Sequence, residues 1–179
     1  RFLGEEKDSS RIAKSIIKER EKSPILLVPK LVEIIKNSKR KNFKKKINIC
    51  TQVFQAIRIF VNKEISELIE GLIKATQFLK KGGKIIIISF HSIEDKIVKF
   101  YFNNYSKNKS RGSRYYPSNN NEEHLFENYR NKIIRPNKEE ILENNPSRSA
   151  KLRYVVRSNN FFFYPDELKK KFINYLKLE

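Results

Sequence analysis

Ser89 and His91 stand where the four-isoleucine run Ile85–Ile88 gives way to Ser-Phe-His-Ser and the acidic pair Glu94-Asp95. Side chains alternate along a strand, so Ser89 and His91 share a face and Phe90 points away from it. In open α/β sheets, ligands bind beyond the carboxyl ends of the strands. A histidine there can line a pocket and titrates near neutral pH. The same residues also suit plain helix architecture. Ser92 followed by Asp95 reads as an N-cap with its acidic partner, and both Glu94 and Asp95 suit the positive end of a helix dipole. The residues favour the cap reading for Ser92, Glu94 and Asp95 and leave His91 open between pocket and scaffold.

Cations supply the other candidates. Arg58 and Asn62, with Gln55, form a polar row on a long helical pattern; the row is either a solvated face or a grip on a phosphate or a base edge. Arg148, Lys151 and Arg153, with Ser147 and Ser149, precede a strand in a way that suits phosphate contact or a plain strand entry. The basic run Lys39–Lys46 reads as a solvated charge run that can meet a phosphate backbone. Tyr115-Tyr116, beside Arg111 and Arg114, can stack on unpaired bases.

The elements that must position these groups follow from pattern. Asp8 or Ser9 caps a first helix carrying Ile12, Ala13, Ile16 and Ile17 inward, and Pro24 ends it. Val28-Pro29 opens a second. A single helix from about Thr51 to Leu79 is expected, with Phe54, Ile57, Val61, Ile65, Leu68, Leu72 and Leu79 on one buried stripe and Glu70–Lys74 as an outer pair. Gly82-Gly83 stops it. An unbroken β-branched run at Ile85–Ile88 predicts a strand covered on both faces, as in parallel sheets. A helix follows from Ser92 to about Tyr105. Residues 103–131, rich in Asn, Ser, Lys and Tyr, read as a mobile loop. A capped turn at Asn137, a strand at Leu152–Arg157 and a last helix opened by Pro165-Asp166 complete the pattern.

Composition narrows the function classes. The chain has 179 residues and a net charge of +19, which points to a polyanionic partner. The Lys, Asn, Ile and Phe richness also suggests A/T-rich coding DNA, which inflates that charge without functional demand. No apolar run is long enough to span a bilayer. One cysteine excludes an internal disulfide, and with two histidines it leaves no Cys/His zinc set. No metal site is expected, and the cysteine usage suits a reducing, cytoplasmic compartment. The chain opens at Arg1 and contains no methionine, as expected of a piece of a longer chain or a processed one.

Several segments together resemble one family. Gly4-Glu5-Glu6 with Arg11-Ile12-Ala13, Thr51–Glu64 (TQVFQAIRIFVNKE), Gly82–Lys99 (GGKIIIISFHSIEDKIVK) and Asn145–Arg153 (NPSRSAKLR) are similar, in order and spacing, to motifs of the ribosomal RNA small subunit methyltransferase H, or MraW, family. The resemblance covers about Gly4 to Arg157. It implies an α/β fold, a partial class I (Rossmann-like) methyltransferase sheet with an inserted helical subdomain. Residues 1–50 would belong to the insertion, 51–160 to the carboxyl-terminal part of the methyltransferase domain, and 161–179 to an appended helical tail. It further implies S-adenosylmethionine-dependent N4-methylation of a cytidine in small-subunit ribosomal RNA, with that RNA or the 30S subunit as partner. The family's Gly-rich loop and acidic cofactor residues have no counterpart here, so the cofactor site is expected upstream and the chain alone is expected to be inactive. No catalytic residue is assigned. Ser89, His91, Arg58, Asn62, Arg148 and Lys151 are the substrate-binding candidates. The rival expectation is a non-catalytic basic RNA-binding fragment or decayed gene product.

Overall fold

Helix signals place most elements where local chemistry puts them. The computed structural model describes residues 1–39, 48–107, 123–127 and 129–179, so most of the basic run and residues 108–122 and 128 of the expected loop, with Tyr115-Tyr116, lie outside the described residues. The chain forms two units, Arg1–Glu64 with Leu178–Glu179, and Ile65–Lys177.

In the first unit, α1 (Ser9–Lys22), α2 (Val28–Ser38) and α3 (Thr51–Asn62) gather around Ile12, Ile35 and Cys50. Pro29 sits in the first turn of α2, where its missing N–H costs nothing. A buried ion pair joins Glu6 to Lys39, whose ammonium also donates to the Ile49 carbonyl at 2.6 Å. Gly4 is required by close approach: a Cβ there would lie 2.0 Å from the Gln52 carbonyl oxygen.

The single long helix expected from Thr51 to Leu79 is two. Lys63 takes a left-handed conformation, φ 51°, and its N–H bonds the Ile59 and Phe60 carbonyls, closing α3; α4 (Glu64–Phe78) starts afresh. The break resets the helical phase. In α3, Ile57 and Val61 face solvent while Ile59 is buried, and α4 buries Ile65, Ile69, Leu72, Ile73 and Thr76. Glu70 pairs not with Lys74 but with Lys169, far along the chain.

In the second unit, Gly82 supplies the positive φ of 76° that turns the chain from α4 into β1 (Lys84–Ser89). β1 pairs antiparallel with β2 (Lys151–Val156), from Lys84 opposite Val156 to Ser89 opposite Lys151. The doubly covered strand expected from the isoleucine run is instead half-covered. Ile85 is buried, whereas Ile86 and Ile88 are 58% and 55% exposed, and Tyr154, opposite Ile86, is 45% exposed. Among the described residues the sheet has these two strands, antiparallel rather than parallel.

α5 (Ser92–Asn104) buries Ile93, Ile97, Val98, Tyr101 and Phe102. Part of the stretch read as a mobile loop joins this core: Leu125 and Phe126 are fully buried and Tyr129 nearly so. Phe126 meets Tyr101 edge-on at 5.3 Å and Phe102 at 5.6 Å. Arg157 is buried behind them and donates to the carbonyls of Thr76, Leu125 and Asn160. The last helix, α7 (Asp166–Leu176), packs Leu168 and Phe172 inward, with the Phe172 ring edge-on to Phe100 at 5.6 Å. α6 (Lys138–Glu143) is capped by Asn137, which accepts from the Glu140 N–H at 2.7 Å.

Candidate nucleic-acid interface at the carboxyl end of β1

The turn from β1 into α5 is a capping box built one residue earlier than the Ser92–Asp95 pattern suggests. His91, not Ser92, is the N-cap: its Nδ1 accepts from the Glu94 N–H at 3.4 Å. Glu94 reaches back, and its Oε2 accepts from the N–H groups of Phe90 at 2.8 Å and His91 at 3.3 Å. The other ring nitrogen, Nε2, lies 3.2 Å from Glu94 Oε1. The shift is possible because a histidine nitrogen accepts as a hydroxyl oxygen does, and because Asp95 has other work. Burial by itself raises the Glu94 carboxyl, but hydrogen bonds from the His91 side chain and the Phe90 N–H outweigh it and hold it below the ordinary glutamate value. His91→Ala should cost about 1 kcal/mol in urea unfolding, and His91→Asn, which can still cap, should recover most of it. Equal losses in both variants would mean that the ring does more for folding than capping.

The β1–β2 register sets the end of β1 against the start of β2. A bridge between Ile134 and Leu152 brings the extended segment before α6 alongside. Together these build a cleft of about 260 Å³ lined by Phe90, His91 and Ser92 from the turn, Arg135 from the extended segment, and Arg148, Ser149, Ala150 and Lys151 from the 3-10 turn (Asn145–Ser149) and the start of β2. Among the described residues no carboxylate lines it. Arg148 is steadied, among the described residues, by neutral oxygens, the Asn145 carbonyl at 3.4 Å and side-chain Oδ1 at 3.1 Å. Three cations with no lining anion make this a site of positive potential that favours phosphate over cationic ligands.

Behind the cleft lies the group that sets Lys151. Asp95 Oδ2 accepts from Lys151 Nζ at 3.2 Å, and Asp95 Oδ1 accepts from Arg153 Nε at 2.7 Å. The Arg153 side chain is 2% exposed, and its NH1 also donates to Tyr129 Oη at 2.8 Å and Asn131 Oδ1 at 3.0 Å. Burial tends to raise the Asp95 carboxyl, but Arg153 and Lys151 prevail and hold it below its ordinary range.

Of the six candidates, the structure brings His91, Arg148 and Lys151 into one cleft. Ser89 does not join them: it is buried, and its hydroxyl donates to the Lys151 carbonyl at 3.3 Å, stitching the strand ends. Arg58 and Asn62 belong to the first unit, where both reach Glu64, Arg58 in a two-pronged pair at 2.7 and 3.0 Å and Asn62 at 3.3 Å. They secure the α3 terminus at the break. Arg135 was missed, because a lone arginine between Ile134 and Pro136 carries no spacing signal. Asp95 was read as a helix-dipole residue, and its partners lie 56 and 58 positions away.

S-adenosylmethionine carries a sulfonium cation and a ribose diol, both of which call for carboxylates. The cleft offers arginines and a lysine, so its residues do not fit that cofactor.

The pattern of the MraW methylase family matches residues 1–158. The ribosomal RNA small subunit methyltransferase H of Agrobacterium fabrum is 41% identical over 157 residues, covering 88% of this chain and 46% of the relative. That of Ehrlichia chaffeensis is 43% identical over 154 residues, covering 86% and 49%. The chain thus spans about half the length of the curated relatives it matches. With the family pattern covering all but the α7 end of the chain, the protein belongs to the MraW methylase family.

Proposed function

We propose that this chain forms the substrate-side wall of an S-adenosylmethionine-dependent methyltransferase that modifies the exocyclic N4 of a cytidine in small-subunit ribosomal RNA, in the cytoplasm. The observation that carries the reading is the cationic cleft at the carboxyl end of β1, lined among the described residues by Arg135, Arg148 and Lys151 and by no carboxylate, in a chain whose relatives are named ribosomal RNA methyltransferases. The methyl donor belongs to residues outside this cleft. Methyl transfer to an amino nitrogen depends on alignment more than on acid–base power. What these residues supply is therefore grip and orientation. Arg135, Arg148 and Lys151 hold the RNA backbone, and His91, its ring engaged by Glu94, fixes the shape of the wall.

A chimera tests this reading. Residues 1–158 of this chain replace the matching part of the Agrobacterium fabrum relative, and labelled methyl transfer to unmethylated small ribosomal subunits is measured. The expected product is N4-methylcytidine in the RNA, identified by mass spectrometry. A folded chimera that binds the subunit and transfers no methyl would replace this reading with that of a non-catalytic RNA-binding chain.

A further inference from the structure

We infer that the cleft at the carboxyl end of β1 is a phosphodiester clamp for a single-stranded RNA segment, in which Arg135 is, among the described residues, the principal free cation and Asp95 is the positioning residue for Lys151. The inference rests on RNA being the substrate and adds which atoms hold it.

The three cations differ in commitment. Lys151 is shared with Asp95, and Arg148 is steadied by Asn145. Arg135 has no side-chain hydrogen bond or ion pair among the described residues and is exposed at the cleft wall. An arginine presents a planar fork of donors that matches phosphate oxygens two at a time, whereas a lysine acts as a point charge. Among the described residues the cleft thus offers one free fork, one steadied fork and one anchored ammonium. Ser149 adds a hydroxyl on the same wall. The space of about 260 Å³ lies just below the usual range for small-ligand pockets, about 300–1,000 Å³. It has room for one phosphate with its sugar. The anchoring carboxylate lies behind Lys151, bonded to buried Arg153, and so directs the ammonium without lining the cleft.

The test is salt-dependent binding of the 179-residue chain to a short single-stranded RNA by fluorescence anisotropy. Each backbone contact contributes about 0.7 to the slope of log affinity against log salt for single strands. Arg135→Gln should flatten the slope by about that amount and weaken binding roughly tenfold near 0.1 M salt. Arg148→Gln should act in the same direction. Lys170→Gln, which removes an exposed charge from α7, should change neither quantity appreciably. Asp95→Asn should weaken binding although it makes the protein more positive, an outcome that simple electrostatics cannot produce. Far-ultraviolet circular dichroism confirms that each variant is folded.

Equal effects of Arg135→Gln and Lys170→Gln would overturn the clamp in favour of diffuse attraction. Arg135-dependent binding to duplex RNA as tight as to the single strand would overturn the single-strand assignment. Arg135-dependent retention on anionic phospholipid vesicles without RNA binding would assign the site to a membrane surface. Inorganic phosphate at millimolar concentration should compete only weakly; full competition would make the cleft a free-phosphate site. If the chimera methylates RNA while Arg135→Gln changes neither slope nor KM, the clamp fails and the methylation reading stands. If Arg135→Gln flattens the slope while the chimera transfers no methyl, the clamp stands and the methylation reading fails.

Discussion

Asp95→Ala is expected to destabilise the folded chain by about 3 kcal/mol, a urea midpoint lower by roughly 1–2 M. The substitution removes the only carboxylate that pairs with Arg153 among the described residues, and the Arg153 side chain is 2% exposed. A buried guanidinium without its counter-ion retains its desolvation penalty and loses the attraction that offset it. The loss falls at the lower end for a broken buried pair because Tyr129 and Asn131 still accept from Arg153. The double variant Asp95→Ala/Arg153→Leu should regain part of the loss, since it removes the stranded charge as well. A loss below about 1 kcal/mol in the single variant would show that the pair contributes little.

The same pair makes stability depend on acid. Asp95 has a lower value in the folded chain than in the unfolded one, so the unfolded state takes up its proton first as the pH drops. The stabilisation is complete above the unfolded aspartate value of about 4 and disappears as the pH falls through the lower folded value. Urea midpoints measured from pH 7 downward should show a steeper acid limb for the wild type than for Asp95→Ala, which has no such pair to lose.

Phe126→Ala is the second large effect, about 3–5 kcal/mol by urea unfolding. Phe126 is fully buried, with rings of Tyr101 and Phe102 edge-on at 5.3 and 5.6 Å. Its truncation leaves a cavity walled by stiff aromatic rings, which close in poorly, and so the transfer and cavity costs add. It should also diminish the tyrosine signal in the near-ultraviolet, since Tyr101 and Tyr105 pack in the same cluster. Leu142→Ala, at an exposed site on α6, should stay within about 0.5 kcal/mol. Comparable small losses at both positions would mean that residues 123–127 are only loosely held.

These effects fall where the residues alone were least informative. The segment around Phe126 is flanked by Asn, Ser and Lys and so reads as loop, yet strand-like bridges from Ser106 and Arg157 to Phe126 hold it against α5. Composition averages over a window, and one buried phenylalanine does not change the average. The capping box was legible in kind but not in register. Ser-Ile-Glu-Asp satisfies the pattern from Ser92 as well as His91 does, and Asp95 was withdrawn from capping by two cations more than fifty positions away. The helix break at Lys63 left no mark at all, since a lysine in a left-handed conformation follows no propensity rule. Arg58 and Asn62 were correctly read as one polar row, but they converge on Glu64 at that break.

Membership of the family was legible in the motifs, and so were the elements whose signals lie within one turn. These are the start of α1 at Ser9, Val28-Pro29 opening α2, the Asn137 cap of α6, the strand through Leu152 and the start of α7 after Pro165. Such signals suffice because caps, prolines and β-branched runs act on backbone groups a few residues away. The tertiary structure alone decided which cations share a cleft, which carboxylate anchors Lys151 and which face of the isoleucine strand is bare. Each of these depends on the register of β1 against β2 and on the Ile134–Leu152 bridge. Such pairings form between segments tens of residues apart, and local spacing carries no record of them.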